Sequence, residues 1–197
     1  MRYDHQHKQQ TRLRVLEAAA DAIRDEGPER ISVAAVMARA GLTHGGFYAH
    51  FGSKEMLVAA TIDFMFDRDE AKFVETTKGR SASEALAVYI DFYLSIGHCG
   101  RRGRGCAVAS LVSELPHLNA TARERFTHGT QRLHERLMEV LERAGVDDAR
   151  SLALTLRSAM VGALAMARAQ SNPADGDAIL QATRLDLLQR LGLGTDV

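Results

Sequence analysis

The chain has 197 residues, 25 Lys and Arg against 25 Asp and Glu, 46% hydrophobic and 6% aromatic content, no Trp and two Cys. That length buries a core without staples, and two cysteines cannot frame a disulfide scaffold of this size. Ordinary apolar content argues against disorder, and the longest nearly apolar uncharged run, Ser158 to Ala167, is ten residues, well short of the ~18–20 that cross a bilayer.

The polar opening, Met1 to Lys8, lacks the apolar stretch of a signal peptide, so a cytoplasmic protein without membrane association is expected. In chain order, Leu13, Leu16, Ala20 and Ile23 recur at helical spacing, with Thr11 as a candidate cap and Gly27-Pro28 as the stop. Ser32 reads as the next N-cap, before Val33, Val36, Met37 and Ala40 on one face. Gly41 breaks that short helix. A second short helix over about 43–50 carries Phe47 and Phe51 inward, and Ser53 caps a longer one that frays near Thr77. Lys78 to Ala82 reads as a boundary, followed by helical blocks at about 83–98, 106–115, 119–144, 147–170 and 174–191. Asn119 and Asp147 are the expected caps, and Pro173 suits a first helical turn. The expectation is all-α: about nine helices, with an N-terminal helix-turn-helix domain over 1–54 and a helical bundle over 55–197.

The sharpest signal lies between Ile31 and Lys54. Two short helices joined at Ala40-Gly41-Leu42 fit a helix-turn-helix, in which Gly permits the turn and Leu42 plugs the corner. Such a unit lays its second helix in the major groove of double-stranded DNA, early residues against base edges. Thr43 and His44 stand there, and Gly45 and Gly46 let the backbone approach closely. Tyr48 and His50 can hydrogen-bond phosphates, and Lys54 adds charge at the start of the next helix. Phe47, Phe51 and Leu42 belong to the core. Alone, either His would read as a solvated surface residue; the surrounding pattern favours DNA.

Residues 11–60 resemble the DNA-binding domain of TetR/AcrR-type transcriptional regulators, through Gly41-Leu42-Thr43, Gly45, Phe47-Tyr48, His50-Phe51 and Ser53-Lys54-Glu55. The resemblance implies a homodimer whose C-terminal bundle binds a small-molecule effector. It implies phosphate contacts for Ser32, Tyr48 and Lys54, and base-facing positions for Thr43, His44 and Gly45. Gly46 departs from the pattern, since family members commonly carry Thr or Ser there. The terminal Arg2, His5, His7, Lys8, Arg12 and Arg14 resemble family arms that track DNA. Two histidines on a terminus are too few for a metal site, and neither metal nor cofactor is expected.

In the later bundle, Leu152, Leu156, Ala159, Met160, Ala163 and Ala167 share one helical face, with Gly162, Ala165 and Ala169 keeping the rest small. This is the expected dimer-forming stripe, packing within one subunit being the alternative. A dimer would present its recognition helices to a palindromic operator. Tyr89, Phe92, Tyr93, His98, Phe126 and Met138 are the candidate effector contacts, although such residues at helical spacing also make ordinary core. Cys106 follows Arg101, Arg102 and Arg104 and opens a helical run, and both features favour thiolate. The Gly105-Cys106 step resembles a family subgroup in which some members sense electrophiles or oxidants, with Cys99 as a resolving partner. A buried small residue at a helix start explains Cys106 more simply.

An enzyme is not expected. No Gly-x-Ser-x-Gly occurs, and Gly103 to Val108 lacks the third glycine of a dinucleotide fingerprint. The reading is therefore a ligand-responsive repressor released by its effector. The alternatives are a thiol-based sensor acting through Cys106 and a non-specific architectural DNA-binding protein. Residues 1–54 hold eight Lys and Arg against six Asp and Glu; balance over the whole chain conceals this local excess.

Overall fold

The computed structural model describes residues 2–101 and 105–193, with side chains from Gln6 onward. Its elements are α1 (Arg2–Glu26), α2 (Val33–Arg39), a 3-10 helix (His44–Ala49), α3 (Lys54–Thr77), α4 (Ala82–Tyr93) and α5 (Ile96–Gly100). They continue as α6 (Ala107–Leu111), a 3-10 turn (Leu115–His117), α7 (Ala120–Arg143), α8 (Ala149–Arg168) and α9 (Pro173–Arg190). Among the described residues the fold is all-α, with nine α-helices and no strand.

Side-chain caps set most of the helix starts. Ser32, Ser53 and Asn119 accept hydrogen bonds from the amides of Ala35, Met56 and Ala122. Ser81 and Glu84 close a reciprocal capping box. Pro173 stands in the first turn of α9, where its missing N–H costs nothing.

Several boundaries differ from the sequence reading. Thr11 does not cap α1; it is buried within a helix that extends back to Arg2, and its hydroxyl accepts a hydrogen bond from Arg14. The polar residues before it are helix-compatible but carry no apolar periodicity, so the pattern began later than the helix. Asp148, one residue after Asp147, caps α8 by accepting from the Ser151 amide. The block over 83–98 is two helices, because Ser95 starts a new one by accepting from the His98 amide at 3.1 Å. The block over 106–115 shrinks to the five-residue α6.

Helix α3 is the spine, packed against α1, α4, α6 and α7. Gly129 of α7 lies against the Phe66 ring, where any Cβ would overlap it, and Phe66 meets Phe126 edge-on at 5.4 Å. Asp67–Arg132 at 2.6 Å and Glu70–Arg136 at 2.8 Å lace the solvent side of the α3–α7 seam. Helix α9 folds back on α8, with Gly176 close to the Ala167 carbonyl, and Arg184 ties α9 to Asp91 of α4 at 2.6 Å.

The stripe expected to join two subunits turns inward instead. Leu156, Met160, Ala163 and Ala167 are buried in their own subunit, and Leu152 and Ala159 are half-buried. Their period matched a helix face, and period alone does not say which partner that face meets. The opposite face of α8 presents Leu154, Ser158, Gly162, Ala165 and Met166 to solvent without a charge. Among the described residues, no helix is long and apolar enough to cross a membrane.

Candidate DNA interface and buried cavity

The chain leaves α2 through Gly41, whose φ of +70° favours glycine, and the Leu42 amide closes the corner on the Met37 carbonyl at 2.9 Å. The segment after the corner is a 3-10 helix rather than the expected α-helix. Two consecutive glycines each cost about 1 kcal/mol in an α-helix interior relative to Ala, so this segment has little α-helical propensity of its own. Phe47, only 2% exposed, anchors it and stacks on Phe51 with ring centroids 5.8 Å apart. This anchor turns Thr43, His44, Gly45 and Tyr48 outward, Tyr48 being 70% exposed.

Ser32 is exposed at the start of α2. Its Oγ accepts from the Ala35 amide, and its hydroxyl proton can be donated elsewhere. Lys54 donates to the Glu29 carbonyl at 2.6 Å, so it clasps the α1–α2 loop and keeps two further N–H donors. His50 is half-buried, and its carbonyl accepts from Arg12 at 2.8 Å. The Arg12 guanidinium lies 4.3 Å from the Phe51 ring centroid. Burial, with Lys8 and Arg12 adding to it, lowers the His50 imidazole below its ordinary value and keeps it neutral at neutral pH. Thus Arg12, grouped by sequence with a DNA-tracking arm, clamps α1 to the recognition segment. His7, Lys8 and Arg14 are exposed; the side chains of Arg2 and His5 lie outside the described residues.

The second feature is a cavity of about 410 Å³ walled by α1, α3, α4, α7 and α8. Tyr89, Phe92, Tyr93 and His98 line it, as does Cys106. Phe126 and Met138 do not: Phe126 is buried against Phe66, and Met138 is half-buried against the core. Apolar wall comes also from Leu133, Met160 and Val161, and charge from Arg24, Asp69 and Arg157. Sequence reasoning missed these three charged residues. They lie on three different helices, and no spacing motif joins them.

Asp69 is a half-buried acid of the cavity wall, and it accepts the Ala107 amide at 2.8 Å. Burial pushes its carboxyl up to about 6, opposed by that hydrogen bond and by Arg24. Burial also holds the Tyr89 and Tyr93 phenols above their ordinary value. Among the described residues the Tyr93 hydroxyl has no partner beyond the Cys106 thiol, a weak one. His98 is lowered chiefly by burial, and its Nδ1 lies 2.7 Å from the Tyr93 carbonyl. That ring nitrogen therefore carries the proton, and Nε2 is left as an acceptor.

At Cys106 the structure fits the simpler reading, a buried residue at a helix start. The thiol is buried, which raises its pKa, and the Asp69 carboxylate raises it further. Asp69 already takes the first amide of α6, and Arg101 is exposed. Arg102 and Arg104 lie outside the described residues. Cys99 is a free, half-buried cysteine outside the cavity wall, and its carbonyl accepts from Arg168 at 3.1 Å.

Two family models match this architecture. The model for bacterial regulatory proteins of the tetR family covers residues 15–61, and the LmrA/YxaF-like transcriptional regulator C-terminal domain covers residues 82–179. The chain belongs to the TetR family. Proteins of the TetR family are DNA-binding transcription regulators, not enzymes. The HTH-type transcriptional repressor Rv3405c of Mycobacterium tuberculosis is 37% identical over 51 residues, 26% of this chain and 27% of that protein. The A-factor receptor protein of Streptomyces griseus is 29% identical over 122 residues, 58% of this chain and 42% of that one. The matched stretches thus span less than half the length of either relative. Similarity extends over nearly the whole fold in the crystal structure of a TetR-family regulator from Agrobacterium tumefaciens. That structure has a TM-score of 0.76 and 26% identity, and the match covers 90% of this chain and 97% of that one.

Proposed function

We propose that this TetR-family chain is a ligand-responsive repressor. It binds a palindromic operator as a homodimer and is released when a small-molecule effector fills the cavity. The observation that carries this reading is the double duty of α1. Arg12 on this helix holds the recognition segment through the His50 carbonyl, and Arg24 on the same helix lines the cavity. Twelve residues of helix span about 18 Å, so a shift at the cavity reaches the DNA-reading unit through one rigid rod. A ligand that alters Arg24 changes operator affinity, and the operator opposes the ligand reciprocally.

On this reading Ser32, Tyr48 and Lys54 contact phosphates, Thr43, His44 and Gly45 face bases, and His50 supports the segment beside them. The domain division at 54/55 places the start of α3 between reader and sensor. The uncharged outer face of α8, with Leu185 of α9 exposed nearby, supports dimerisation through these helices. Such a dimer suits half-sites ~34–36 Å apart or a multiple of that. The cytoplasm is the compartment that fits. A thiol-sensing mechanism is not favoured, because burial keeps Cys106 protonated.

The test is binding to the DNA upstream of the protein's own gene, compared with scrambled DNA of equal length. A Tyr48→Phe, Lys54→Ala double variant that keeps its circular dichroism should lose about tenfold to a hundredfold in affinity. Unchanged binding would remove both contacts from the interface. Equal affinity for scrambled DNA, with a steep salt slope, would favour an architectural protein instead.

A further inference from the structure

The cavity has a charge imbalance that an apolar effector would not need. Five of its lining side chains are basic (Arg24, Arg68, Lys72, Arg101 and Arg157), and two are acidic (Asp69 and Glu75). Glu75 pairs with Lys72 at 3.1 Å near solvent. Asp69 accepts the Ala107 amide, and its charge also faces Arg24, Arg68 and Arg157. Arg157 gives one N–H to the Thr130 carbonyl, and a guanidinium has further donors in a fixed fork. Near them the buried Tyr93 hydroxyl has, among the described residues, no partner beyond the weakly hydrogen-bonding Cys106 thiol.

We infer that the cavity takes a small organic anion, typically a carboxylate. Its charge faces Arg24 and Arg157, Tyr93 donates a hydrogen bond to it, and its apolar body rests on Tyr89, Phe92 and Met160. The inference rests on the cavity being the effector site and adds the chemical class of the effector. A cationic ligand would meet the guanidiniums of Arg24 and Arg157 at the wall, Lys72 and Arg68 being paired with Glu75 and Glu17, and the Phe92 face already carries the Lys72 ammonium at 5.1 Å. A neutral apolar ligand would fill the space but would offer no acceptor to the remaining donors of Arg157. The volume of about 410 Å³ lies toward the small end of ligand pockets. Because Arg24 is on α1, an anion drawing it away from Asp69 acts on the helix that carries the recognition segment.

The test is calorimetric titration of the full chain at neutral pH with carboxylates of increasing size, each beside its amide and its amine. Naphthylacetate, naphthylacetamide and naphthylethylamine form one such set. The best acid should bind about tenfold or more tightly than its amide, with the amine weakest. Arg24→Gln with Arg157→Gln should narrow that gap to about threefold or less without weakening the amide. Tyr93→Phe, which retains the ring, should weaken the acid alone. Amides or amines binding as well as acids, or no acid binding at all, overturns the inference. Val161→Trp, placed to block the cavity, separates the two failures. If it leaves acid binding intact, the ligand sits elsewhere and the effector-site reading itself falls.

Discussion

The recognition segment and the cavity divide the charge of this chain against simple expectation. Residues 40–53, which carry the recognition segment, contain no Lys, Arg, Asp or Glu. The cavity wall holds five basic side chains, four from the bundle and Arg24 from α1. Basic groups near the recognition segment also hold structure: Arg12 takes the His50 carbonyl, and Lys54 takes the Glu29 carbonyl of the α1–α2 loop. For the reader, shape and donor placement matter more than field strength; for the cavity, a desolvated charge is the main feature. A net charge of zero over the whole chain was silent on both.

The two regions also differ in how they are anchored, and the largest expected effect tests that. Phe47 is the main apolar plug of the recognition segment. Phe47→Ala should cost about 3–5 kcal/mol locally and abolish specific DNA binding. Amide exchange in α7 and α8 should remain protected, since their core is built from Leu137, Leu141, Leu156 and Leu164 of the bundle. Loss of protection throughout would mean that reader and bundle unfold as one unit.

A smaller effect belongs to the cavity. Asp69 has a folded-state value of about 6, above its ordinary value, so the folded protein binds this proton more tightly than the unfolded chain. Its contribution to stability is therefore full at low pH and is lost as pH rises from about 4 to about 6. Two pH units correspond to roughly 2–3 kcal/mol. Asp69→Asn keeps an acceptor for the Ala107 amide and removes the titration. Across that window, denaturant unfolding should show the variant gaining on wild type by about that amount. Parallel pH profiles for the two proteins would show that Asp69 is solvated.

Most of the reader was legible in the sequence and most of the cavity was not. Ser32, Gly41, Phe47 and Ser53 act locally, through caps, a turn and one buried ring, so a contiguous stretch of sequence contains their whole context. Arg24, Asp69 and Arg157 meet only because α1, α3 and α8 converge, and the chain gives no spacing signal for that. Tyr89, Phe92, Tyr93 and His98 were legible as candidate contacts within one expected helical block. Phe126 and Met138 shared their residue types but not their direction. The inward stripe of α8 shows the same limit, since helical period identifies a buried face without naming its partner. At Cys106 the nearby charges favoured thiolate and desolvation opposes it, which leaves the simpler reading of a buried residue.

The smallest effect concerns the 3-10 form of the recognition segment. Gly46 does not occupy the left-handed region, and a Cβ there would sit 3.7 Å from the Met37 methyl, an ordinary contact. No local steric reason therefore requires glycine, whereas Gly41 with φ +70° does favour it. Gly46→Ala removes chain entropy and about 1 kcal/mol of helix cost without touching DNA-facing chemistry. If DNA must order this segment on binding, the variant should bind the operator about fivefold more tightly, chiefly through slower dissociation. Gly41→Ala should weaken binding by a similar factor, because the strain falls on the corner that aims Thr43 and His44. Equal affinities for wild type and Gly46→Ala would mean that the 3-10 geometry is the form that binds DNA. The two glycines would then be part of the reading surface and not a weakness that DNA corrects.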